Sequence, residues 1–120
     1  MTGWLRRRAA KRDHEAMLRQ RVDHELLKRT VTRGLAEVRR TARGVRQPAF
    51  AAAAEEVIRE AEQISTQFMI DAIVCWNFGV RGNGLPPEDS RRMVVREYLS
   101  WRAHMDVCVQ KLRRYADQAQ

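Results

Sequence analysis

Two copies of one triplet, Asp13-His14-Glu15 and Asp23-His24-Glu25, bring together side chains that bind metals and move protons. Ten residues on one helix turn the second copy through about 1000°, so the copies point about 80° apart and do not converge on one ion. No third ligand stands nearby. The acids of both triplets are better placed to pair with Lys11, Arg19, Lys28 and Arg29, at i,i+4 or i,i+6 range. His104 and Cys108 are four apart on one helix and could ligate together, but Cys108 falls on an apolar seam and reads as a packed thiol. Glu55 and Glu56 sit side by side on an outward helix face. Residues 79–87 are rich in glycine and proline, yet they lack the Gly-Lys-Ser/Thr ending and the preceding strand of a phosphate loop. No set of nucleophile, base and orienting acid emerges from three histidines and two cysteines. The chain is therefore not expected to be an enzyme, and neither a metal nor another cofactor is expected.

Charge is the stronger signal. Residues 1–46 hold 14 Lys/Arg against 5 Asp/Glu, whereas residues 47–120 hold 9 against 10. Positive charge so concentrated calls for a polyanionic partner, because self-repulsion is relieved only when something neutralises it. Twenty of the 23 basic residues are arginine, whose planar fork suits phosphate; the codon bias of a high-GC genome produces the same excess. No run of about 18 apolar residues exists to span a membrane, residues 68–78 coming nearest but containing Asp71. The N-terminus is basic without a following apolar run, unlike a secretory signal, and Asp13 and Glu15 arrive too early for a transit peptide. Cys75 and Cys108 read as reduced, buried thiols of a cytoplasmic protein.

The elements that must carry this charge are helical. At 120 residues the chain is long enough for one domain, and no strand pattern is present. Val94, Tyr98, Trp101, Met105, Cys108, Leu112 and Tyr115 alternate spacings of four and three, the seam of a helix from about Pro87 to Ala116. A middle helix starts at Pro48 and stops at Gly79, with a stripe through Phe50, Ala54, Val57, Ala61, Ile64, Phe68, Ala72 and Cys75. Its end, residues 68–78, is apolar all round and must be enclosed by the bundle or by a second copy. Upstream, Leu27, Val31, Leu35, Val38, Ala42 and Val45 share one face, while Leu18, Val22 and Leu26 share another. Either the helix breaks around residues 30–34, where β-branched residues and Gly34 weaken it, or one long helix serves two partners. The expected fold is all-α: a single domain forming a three- or four-helix bundle with long helices, and residues 1–12 as a basic arm.

On the same helical wheel Arg29, Arg33, Ala36, Arg40 and Arg43 fall within about 80°, opposite the Leu27 stripe, and Arg19 joins them if the helix is continuous. Only Glu37, off the row, opposes it within residues 29–46. A row about 20 Å long can track phosphates with little sequence preference. An acidic protein partner and plain solvation are the other readings. Arg6, Arg7, Arg8, Lys11 and Arg12 form a second patch that could order on a polyanion. Beside it, Trp4 either stacks on a base or pins the N-terminus to the bundle.

The Arg29, Arg33, Arg40 and Arg43 row, the long heptad helix and the apolar 68–78 segment together resemble the small subunits of multisubunit class 1 CRISPR effector complexes. The Arg and Ala bias is similar to that of actinobacteria, where plasmid-borne systems of this kind occur. The resemblance implies a helical bundle acting in antiviral defence, repeated in several copies along a guide-RNA ribonucleoprotein. It implies RNA or single-stranded DNA held by its backbone and contacts with other protein subunits. The competing class is a helical adaptor or inhibitor from a phage or plasmid that turns the basic face to an acidic protein. A helix-turn-helix within residues 18–45 lacks the tight glycine turn and polar recognition helix it would need.

Overall fold

A computed structural model describes the backbone of residues 3–80 and 87–118, and the side chains of residues 7–78 and 88–118. Four helices follow one another: α1 (Gly3–Arg19), α2 (His24–Ala42), α3 (Ala51–Val80) and α4 (Pro87–Asp117), with a 3-10 turn at Pro48–Phe50 before α3. No strand occurs among the described residues, and the fold is all-α with long helices. None of these helices is long and apolar enough to cross a membrane.

The α3–α4 pair is an antiparallel hairpin, and it supplies most of the core. Phe50 stacks on Tyr115 at one end, Phe68 on Trp101 at 5.1 Å in the middle, and Arg91 lies over Trp76 at the other. The heptad seam is buried from Val94 to Leu112, and Tyr115 is partly buried. Pro87 opens α4, and Glu88 and Asp89 stand in its first turn, close to the start at about Pro87 that the sequence implied. α2 runs antiparallel to α3, and α1 antiparallel to α4; Asp13 joins the two outer helices through Arg33.

The break in the first half falls at residues 20–23, not at 30–34. Asp23 is extended (φ −124°, ψ 177°) and its carboxylate accepts the Leu26 N–H at 2.9 Å, capping α2. The last carbonyls of α1 are met from 71 and 74 residues away: Arg91 donates to the Met17 carbonyl at 2.9 Å and to the Gln20 carbonyl. The Asp23 triplet is therefore a helix start, and Asp13 is a buried cross-helix acid. Neither acts through the i,i+4 pairs expected of them.

Gly34 is helical, and its missing side chain is a packing requirement. A Cβ there would stand 2.7 and 2.8 Å from Cη2 and Cζ2 of Trp101. Bare backbone lets α2 lie against that indole, which is 1% exposed and donates through Nε1 to Ser65 Oγ at 3.0 Å. Thr30, also buried in α2, is satisfied by the Leu26 carbonyl at 2.9 Å.

Residues 3–12 form the first turns of α1. Three further expectations change. Leu18 is 44% exposed, because α1 ends after it and buries Asp13, Ala16 and Met17 instead. Residues 68–78 are not enclosed by the bundle: Phe68 and Ala72 are buried, whereas Ile70, Val74 and Phe78 are 53%, 45% and 46% exposed. That stripe of i, i+4 and i+8 residues faces away from the neighbouring helices. Cys75 is only half-buried, and Cys108 is fully buried. The glycines of residues 81–86 lie outside the described residues.

Candidate nucleic-acid interface

α1 carries six Lys/Arg against two acids and α2 five against two, whereas α3 carries one against five. The surplus of the first half is thus displayed by the two helices that cover one side of the hairpin. α2 is anchored beneath its cations, because Leu26, Leu27, Thr30, Val31, Gly34 and Val38 on its opposite face are buried.

The arginines of the row part company in the tertiary structure. Arg29, Arg40 and Arg43 are exposed, and no carboxylate pairs with them among the described residues. Arg33 donates to Asp13, whose side chain is 1% exposed. Arg102 of α4 reaches the second oxygen of the same carboxylate at 3.4 Å and lies over the Trp101 ring at 5.0 Å. Burial pushes the Asp13 carboxyl above its usual range, while Arg33 and Arg102 pull against that shift. Arg33 therefore ties α1 to α2, while its own side chain stays 46% exposed. Arg39, next to the row, is held by Glu62 of α3 at 2.7 Å.

Arg19 does not join the row, because α1 ends there and the chain turns before α2 begins. Arg7, Arg8, Lys11 and Arg12 are exposed on α1; the side chains of Trp4 and Arg6 lie outside the described residues. A groove of about 260 Å³ runs between α1 and α2, walled by Ala9, Ala10 and Ala36, with Arg33, Arg40 and Arg102 along it and Asp13 and Glu37 as its acids. At the end of α2 a second depression brings Arg113 of α4 beside Arg40. Arg113 stands near the C-terminal end of α4. Its approach to α2 follows from the parallel course of the two helices, a fact no local pattern carries.

The remaining chemistry-bearing residues are dispersed. His104 is exposed at a groove that it shares with Asp71 and Glu97, while Cys108 is inside the seam. Among the described residues no group of three or more His, Cys, Asp and Glu side chains is placed to hold a metal. Burial raises the pKa of both Cys75 and Cys108, so each is a thiol rather than a thiolate at neutral pH. Compared with protein-family models, with curated proteins and with solved structures, the chain matches none.

Proposed function

We propose that this protein is a non-catalytic helical subunit that holds a nucleic-acid backbone along its α1–α2 face. In this reading it serves a ribonucleoprotein of the kind its sequence resembles, a CRISPR effector of antiviral defence. The observation that carries the reading is the set Arg29, Arg40 and Arg43: exposed, unpaired with carboxylates among the described residues, and mounted on a helix whose other face is core. Cations held at fixed spacing meet successive phosphates without reading bases. The exposed α1 cations widen the track, and Arg113 extends it past the end of α2. The apolar stripe Ile70, Val74 and Phe78 lies on α3 and suits contacts with other subunits or further copies of this chain. A cytoplasmic setting fits two free thiols.

The test is the salt dependence of binding to RNA and DNA of unrelated sequences. Three neutralised phosphates give a slope of log K against log salt near −2 for single strands and near −2.7 for B-DNA, and each further cation engaged adds about −0.7 or −0.9. The triple variant R29Q/R40Q/R43Q should flatten the slope and keep its helical circular dichroism. Arg33→Gln should instead lower the melting temperature. A wild-type protein that binds no nucleic acid at low salt, or binds with a flat slope, overturns the reading.

A further inference from the structure

The charged face does not exhaust the surface that α2 offers. At its N-terminal end, the turn between α1 and α2 and the last turns of α3 enclose an open cavity of about 300 Å³. Its walls include Arg21, His24, Ile73, Trp76 and Asn77. Of the two tryptophans with described side chains, Trp101 is sealed in the core, whereas Trp76 is only partly buried and lines this cavity. Arg91 is not part of the cavity wall; its guanidinium lies over the Trp76 ring at 4.6 Å and is itself fixed by the carbonyls of Met17 and Gln20. The indole is thus braced by a cation anchored to α1 while it lines an opening. Asp23, the one acid at the rim, is occupied by the Leu26 N–H.

From this arrangement we infer that the Trp76 cavity takes an unpaired nucleobase, so that the protein's ligand is a single strand rather than a duplex. The inference rests on the proposed backbone-binding function and specifies its substrate. A braced indole at an opening is a stacking platform for any base, since every base presents a π-face. Arg21 at the rim matches the phosphate attached to such a base, and His24 and Asn77 supply polar groups for its edge. A paired base inside a duplex cannot enter, because its faces are already stacked. The cavity adjoins the start of α2, the helix that carries Arg29, Arg40 and Arg43, so one strand bound to both would have to turn around that end of the helix.

The experiment compares three fluorescent ligands of about 20 nucleotides: oligothymidine, an abasic strand of the same length, and a duplex. Wild-type protein should bind oligothymidine more tightly than the abasic strand, although both carry the same phosphates. Trp76→Leu should weaken oligothymidine binding roughly five- to hundredfold and leave the abasic strand and duplex unchanged. Trp76→Phe, which keeps a ring, should recover most of the loss. Equal wild-type affinity for the two single strands overturns the proposal even if Trp76→Leu fails to fold, and so does an equal loss on all three ligands. Loss of every ligand in R29Q/R40Q/R43Q, with the oligothymidine preference absent in wild type, would leave the backbone reading standing and this one refuted. A wild type that binds none of the three overturns both.

Discussion

Replacing Gly34 with alanine sets two known effects against each other inside one helix. Alanine is the better helix former by about 0.8–1 kcal/mol, so an exposed glycine in α2 would be improved by the change. At position 34 the new methyl would stand 2.7 and 2.8 Å from Trp101 and 3.4 Å from Met105 Cε. The Met105 terminus can move, but the indole cannot. Phe68 stacks on it at 5.1 Å, Tyr98 adjoins it at 5.9 Å, and Ser65 accepts its N–H. Overpacking against a fixed ring costs about 1–3 kcal/mol, and the close approach to two ring atoms argues for the upper part of that range. The net expectation is a loss of about 1–2 kcal/mol, or a fall in melting temperature of roughly 4–8 °C for a chain of this length. Circular dichroism during urea and thermal unfolding measures it. Ala36→Gly, at an exposed site two residues on, isolates the propensity effect in the same helix. The double variant Gly34→Ala with Trp101→Phe, which removes the clashing ring atoms, should show the alanine becoming neutral or favourable. If Gly34→Ala alone matches or exceeds wild-type stability, the close α2–α4 approach is refuted.

Two further outcomes follow from the buried polar groups. Ser65→Ala leaves the Trp101 N–H without its acceptor in the core and should lower unfolding free energy by about 1–3 kcal/mol, read from urea midpoints; an unchanged midpoint would deny the bond its role. Asp13 has a folded-state pKa raised by burial, so the folded chain binds its proton more tightly than the unfolded chain does. The stability linked to that proton is complete below the unfolded pKa of about 3.9 and is lost as pH rises through the folded value. Wild type should accordingly gain stability relative to Asp13→Asn on acidification from neutral pH towards 4. The opposite slope would show that Arg33 and Arg102 outweigh burial.

The register of α3 and α4 was legible in the chain because long helices packed lengthwise repeat their buried positions, and Pro48 and Pro87 stand where they begin, whereas α3 runs through Gly79, where the sequence put its stop. The register change near Leu26 was legible too. Its cause was not: nothing in residues 20–23 breaks a helix as glycine or proline would, and the turn depends on an aspartate cap and on Arg91 arriving from α4. Gly34 looked like a weak point for the opposite reason, since propensity reports on the isolated helix and the requirement there comes from Trp101.

The sequence by itself determined that this is an all-helical chain with its positive charge gathered in the first half, since periodicity and charge totals are properties of the order of residues. Which cations remain available was decided only by tertiary structure. Arg33 and Arg29 are equivalent on a wheel, and they differ because Asp13 is brought under one of them and not the other. The same holds for tryptophan: Trp76 and Trp101 both sit on apolar stripes, yet the crossing of α2 seals Trp101 and leaves Trp76 at an opening. Periodicity says which way a side chain points along its own helix, and only the packing of four helices says what stands in front of it.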